Sequence, residues 1–130
     1  MNRINCEIIW TSIRHLISFS YNNIMKIYNK LIRDRIPEII EKDGNTADII
    51  ILSEESFKQA IKEKLIEEAT EVCNAQDRDD ILSELADLQE VMDTIKQMYN
   101  INTLEVNTIQ AVKALQRGKF EKRLYLKSVK

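Results

Sequence analysis

Apolar residues recur at steps of three and four over most of the chain and at steps of two only briefly, which is the pattern of helices packed against one another. Phe57, Ile61, Leu65, Ala69 and Val72 make one such stripe. With Ser53 as N-cap and Glu54 and Glu55 in the first turn, they predict a long helix from Glu54 to about Ala75. Ile81, Leu85, Leu88, Met92 and Ile95 make a second stripe. After a polar turn at Asp77 to Asp79, this seam predicts a second long helix reaching about Met98. A third helix is expected over Leu104 to Arg117, capped by Thr103 and closed by Gly118. Pro37 suits the first turn of a short helix that Gly44 ends. The β-branched run Ala47 to Leu52 reads as a strand, and Phe120 to Leu126 is extended enough to pair with it. The expected fold class is therefore all-α in the main, an antiparallel helical bundle with one short β pair, 47–52 with 120–126.

The N-terminal 24 residues read differently. Ile8 to Phe19 is apolar but interrupted by Arg14 and His15, too short to span a membrane and without a small-residue cleavage site. Ile9, Ile13, Leu16 and Ile17 fit a short amphipathic helix, an extension outside a single domain at 25–130. The 130 residues contain two Gly and one Pro, too few turn-formers for a sandwich or barrel of many short strands. Two cysteines, Cys6 and Cys73, and one histidine exclude a disulfide framework and disfavour a structural zinc site. A reducing cytoplasm is the expected home, with Cys73 a small core residue. Any metal would be a hard cation held by oxygen.

Charge sharpens this picture. The net charge of −2 conceals a strong asymmetry. Ser53 to Ile95 holds thirteen carboxylates against four bases, a local charge of −9, and the remainder carries +7. Two motifs dominate the acidic block: Glu67-Glu68-Ala69-Thr70-Glu71 and Glu84-Leu85-Ala86-Asp87. Residues three or four apart share a helix face, so Glu68 pairs with Glu71 and Glu84 with Asp87. At about 100° per residue, Glu68 falls inside the apolar stripe of its helix and Glu71 at the stripe's edge. Glu84 and Asp87 fall beside the seam of the next helix. Two helices packed along these stripes would bring Glu68 and Glu84 to their interface, with Glu71 and Asp87 at its border. Carboxylates so placed are costly unless paired or bound to a cation, and Mg²⁺ or Mn²⁺ suits them. Ions held there could clamp phosphates and activate water. An acidic helix face is also common without any such role.

The spacing EExxE, twelve residues, ExxD resembles the signature of the MazG-like, all-α nucleoside triphosphate pyrophosphohydrolase superfamily. Two flanking segments, Tyr28-Asn29-Lys30-Leu31-Ile32-Arg33-Asp34-Arg35-Ile36-Pro37-Glu38-Ile39-Ile40 and Arg117-Gly118-Lys119-Phe120, resemble its phosphoribosyl-ATP pyrophosphohydrolase-like or house-cleaning branch. The similarity covers about 26–127. It implies a helical bundle of that type, and hydrolysis of a nucleoside triphosphate (an unusual or deoxy one included) to monophosphate and pyrophosphate with Mg²⁺ as cofactor. It further implies Glu68, Glu71, Glu84 and Asp87 as metal ligands, a supporting role for Glu67 in orienting water or an outer-sphere contact, and assembly as a homodimer or homotetramer. No membrane or nucleic-acid partner is expected.

A triphosphate keeps excess charge even when a cation bridges it, so bases are needed as well. Lys30, Arg33, Lys64, Lys113 and Arg117 are the candidates for phosphate contact, although the same bases serve equally well as ion-pair partners of the acidic middle. Lys64, one turn before Glu68, can orient that carboxylate or touch substrate. Two further readings stay open. One is phosphoribosyl-ATP hydrolysis in histidine biosynthesis. The other is a non-catalytic helical module that contacts nucleic acid through Lys113 to Lys130, which holds seven bases and one acid.

Overall fold

A computed structural model of the chain describes residues 25–129. The amphipathic helix expected within 1–24 lies outside them. Among the described residues there are four helices and no strand: α1 (Ile36–Lys42), α2 (Glu54–Asn74), α3 (Arg78–Met98) and α4 (Thr103–Arg117). The chain is mainly helical, and α2 and α3, joined by three residues, pack as a hairpin about 31 Å long.

Each helix end has a local cause. Pro37 opens α1. Gly44 closes it: its own N–H reaches Glu41 O, and its left-handed φ of +79° turns the chain so that Asn45 N–H reaches back to Ile40 O. Ser53 Oγ accepts from Ser56 N–H at the start of α2. Asp77 caps α3 by accepting from the N–H groups of both Asp79 and Asp80 at 2.9 Å. At the end of α3, Asn100 takes φ +53°, and the N–H groups of Asn100 and Ile101 return to Gln97 O and Lys96 O. The cap of α4 is Asn102, one residue before the expected Thr103. Its side chain accepts from Glu105 N–H while Glu105 Oε2 accepts from Asn102 N–H, a reciprocal box that Thr103 has no matching acid to form. Gly118 ends α4 as expected, with its N–H on Ala114 O.

The expected β pair does not form. Residues 47–52 and 120–126 contain no strand, and Ile49, Ile50, Ile51, Phe120 and Leu124 stand exposed. β-Branched composition favours extended backbone, but pairing also needs a shared apolar face, and none covers either segment.

The stripe on α2 faces α3 as predicted, with Ile61 buried and Phe57, Leu65, Ala69 and Val72 half-buried. The face of α3 turned to α2 differs from its predicted seam. Val91 is the buried residue, flanked by half-buried Glu84, Asp87, Leu88, Ile95 and Met98, while Ile81, Leu85 and Met92 are exposed. The contact face is thus rotated by roughly 80° from the seam at 100° per residue. That rotation carries the acidic residues inward and leaves an apolar stripe outside. Cys73, expected in the core, is exposed. It lies next to the last residue of α2, outside the stripe that Ile61, Leu65 and Val72 turn to α3.

Candidate metal centre

The rotation of α3 builds the site. Glu68 and Glu71 come from one face of α2 and Glu84 from the opposing face of α3. One carboxylate oxygen of each lies within 4.8 Å of the other two. Glu68 is 5% exposed, the only charged residue in the core among those described. Its carboxylate is met by Lys64 Nζ at 2.6 Å, from one turn earlier on the same helix. Lys64 also reaches Glu67 at 3.2 Å.

The remaining predicted acids lie beside this trio and carry their own cations. Glu67 accepts from Lys30 Nζ at 2.9 Å, and Asp87 accepts from Arg33 Nη2 at 2.5 Å. Both bases arrive from the segment before α1, 37 and 54 residues away in sequence. The expected bases therefore divide. Lys30, Arg33 and Lys64 are at the site, paired with carboxylates. Lys113 and Arg117 sit on exposed faces of α4 and make no ion pair among the described residues. That Lys30 would meet Glu67 and Arg33 would meet Asp87 had no signal in the sequence beyond opposite charge.

The electrostatics follow from burial and crowding. Burial pushes the Glu84 carboxyl up, and a side-chain hydrogen bond with Glu71 together with the charges of Glu71, Asp87 and Glu68 lifts it further, to about 7. Glu84 Oε2 is buried without a hydrogen-bond partner. Burial also raises Glu68, with Glu71 and Asp87 adding to the effect against the opposing pull of Lys64. Burial works to raise Glu67 as well, but Lys30 and Lys64 prevail and hold it below its ordinary value. Burial works to lower Lys64, yet Glu68 and Glu67 keep it above the usual ammonium range.

This donor set fits a hard divalent cation. Two oxygens bound to one Mg²⁺ stand about 3–4 Å apart, so small side-chain movements would bring Glu68, Glu71 and Glu84 onto one ion. Five carboxylates (Glu67, Glu68, Glu71, Glu84, Asp87) face three bases (Lys30, Arg33, Lys64), which leaves −2 when all of the acids are ionised, the charge that one divalent ion cancels. Glu84 Oε2 lacks a protein donor, and a proton, a cation or a water molecule would supply what it lacks. A shallow groove lined by Asn102, Leu104, Glu105, Thr108 and Ile109 shares no residue with this cluster.

Comparison with known proteins adds little chemistry. No family model matches the chain, and no solved structure matches it. Over 50 residues it is 44% identical to a Mycolicibacterium smegmatis protein described as uncharacterized, a match covering 38% of this chain and 51% of that protein. The chain thus spans about half the length of the curated relative it matches.

Proposed function

We propose that the acidic centre on α2 and α3 binds Mg²⁺, with Mn²⁺ able to substitute, and hydrolyses a nucleoside triphosphate, an unusual or deoxy one included, to monophosphate and pyrophosphate. The observation that carries this reading is Glu84, whose buried oxygen has no partner and whose carboxyl stands among Glu68, Glu71 and Asp87. Lys64 and Arg33 offset Glu68 and Asp87, but no base pairs with Glu71 or Glu84 among the described residues, and two such acids at a helix interface are costly without a cation. The bundle type and the MazG-like branch belong to the same proposal, supported by the motif spacing and by its placement on two packed helices.

In this reading Glu68, Glu71, Glu84 and Asp87 hold the metal. A bound Mg²⁺ polarises phosphate oxygens and eases deprotonation of water. Lys64 keeps Glu68 charged and aimed, Glu67 orients water at the edge of the site, and Lys30 and Arg33 are within reach of phosphate. Water adds to one phosphorus of the α–β bridge and gives up its proton to solvent, the P–O bond of that bridge breaks, and the departing phosphate group keeps the bonding electrons, which leaves monophosphate and pyrophosphate.

Assembly as a homodimer or homotetramer is part of the proposal. Ile81, Leu85 and Met92 of α3 and Leu104, Ile109, Val112 and Leu115 of α4 are exposed, while Ile61 and Val91 are the buried hydrophobic residues among those described. So small a core does not stabilise a domain by itself. Cytoplasmic location is also proposed; no helix among the described residues is long and apolar enough to cross a membrane.

The test is pyrophosphate release from ordinary, deoxy and damaged triphosphates and phosphoribosyl-ATP, with Mg²⁺ or Mn²⁺. Turnover of a triphosphate, reduced about 100-fold or more in Glu68→Gln and Asp87→Asn with helicity kept, is the expected result. Preference for phosphoribosyl-ATP would shift the reading to the histidine pathway. Release from none of them, with salt-dependent nucleic-acid binding instead, would refute it in favour of a binding module.

A further inference from the structure

We propose that residues 26–35 form an exchangeable strap across the acidic centre, in which Lys30 and Arg33 hold Glu67 and Asp87 until a cation fills the site and then transfer to the phosphates of the incoming substrate. This rests on the metal-centre reading above and adds a role for bases outside the two acidic helices. The strap precedes α1 and has no helix or strand of its own. Asn29 stands at φ +45°, a left-handed conformation that Asn tolerates better than most residues, and it turns the chain immediately before Lys30. Lys30 and Arg33 then reach across 37 and 54 residues of sequence to two different helices, one acid each.

Three observations distinguish these two bases from Lys64. Lys64 is bound to its own helix and bridges two acids, one of them buried, so it is fixed. Lys30 and Arg33 keep solvent access, with 29% and 55% of their side chains exposed, and ion pairs of that kind exchange at small cost. Their partners, Glu67 and Asp87, lie at the edges of the trio rather than within it. With both bases on carboxylates the site is at −2. With both moved to phosphate it is at −4, enough for a second divalent charge carried in with the nucleotide. Cation entry and substrate capture are thereby coupled through the same two side chains.

The experiment uses the full chain at pH 8, with Mn²⁺ alone followed by electron paramagnetic resonance, and inorganic triphosphate in the presence of Mg²⁺ followed by calorimetry. Lys30→Met and Arg33→Gln are each expected to bind Mn²⁺ about two- to fivefold more tightly than the native chain, since a competing cation is gone. Both should bind triphosphate about tenfold or more weakly, since a charge-assisted contact is lost. Lys30→Arg and Arg33→Lys should restore both values toward native, and circular dichroism confirms that each variant is folded. Unchanged or weaker Mn²⁺ binding in both folded variants overturns the strap while leaving the metal centre in place. Absence of Mn²⁺ binding by the native chain refutes the centre itself, and the strap with it.

Discussion

Glu84 makes the sharpest claim about the unliganded protein. Its carboxyl is raised from 4.5 to about 7 by burial and by the neighbouring Glu71, Asp87 and Glu68. Between these values the folded chain keeps a proton that the unfolded chain has already released. The unfolded state then binds fewer protons, so stability falls as pH rises through this window. Below about 4.5 both states are protonated and the cost is absent; above about 7 it is complete. A shift of this size corresponds to about 3.4 kcal/mol at about 1.4 kcal/mol per pH unit, and partial solvent access reduces it to about 2 kcal/mol. Glu68, raised in the same direction, adds to the slope. Urea denaturation in EDTA at pH 5 and pH 8 measures the difference directly. The native chain should be less stable at pH 8 by about 2 kcal/mol, and Glu84→Gln should lose most of that dependence and be the more stable of the two at pH 8. Adding Mg²⁺ at pH 8 should restore the native chain and leave Glu84→Gln little changed, because ligand binding to the folded state shifts unfolding by mass action. Equal pH slopes for the two proteins would refute the crowded carboxylate as the source of the perturbation.

Three further outcomes follow. Light scattering should give a mass at least twice 15.2 kDa, and Leu85→Glu or Leu115→Glu, both at exposed apolar positions, should lower it toward a single chain. Asn102→Ala should cost about 1 kcal/mol, read as faster amide exchange over the first turn of α4, because both halves of its reciprocal cap with Glu105 are lost. Cys73, exposed on α2, should react with a thiol reagent in the native state at close to the rate of a small free thiol; protection until unfolding would show that an assembly interface covers it.

The helices were legible because their causes are local. Ser53, Asp77, Pro37, Gly44 and Gly118 each act within a few residues of themselves, and each closes or opens an element close to where its chemistry requires. Thr103 against Asn102 is a choice between two competent caps, decided by Glu105 three residues after the second. The 47–52 and 120–126 segments failed for the opposite reason. Strand pairing is a tertiary event, and β-branched composition carries no information about what lies opposite.

The acids of the site are legible in the sequence, whereas the apolar seam of α3 lies at a different angle from the face it turns to α2. The large apolar positions alone place the seam of α3 at Ile81, Leu85, Leu88, Met92 and Ile95, which assumes that a helix presents its greasiest stripe to its nearest neighbour. In the structure that stripe is largely outside and a face containing Glu84 and Asp87 lies against α2. A helix with two partners must satisfy both. If the second partner is another copy of the chain, the hydrophobic stripe belongs to that interface, and the intramolecular face is free to carry the acids. Under the proposed assembly, the exposure of Ile81, Leu85 and Met92 and the burial of Glu68 have one cause: the chain spends little of its apolar surface on its own hairpin, and contacts between copies would supply the rest of the core.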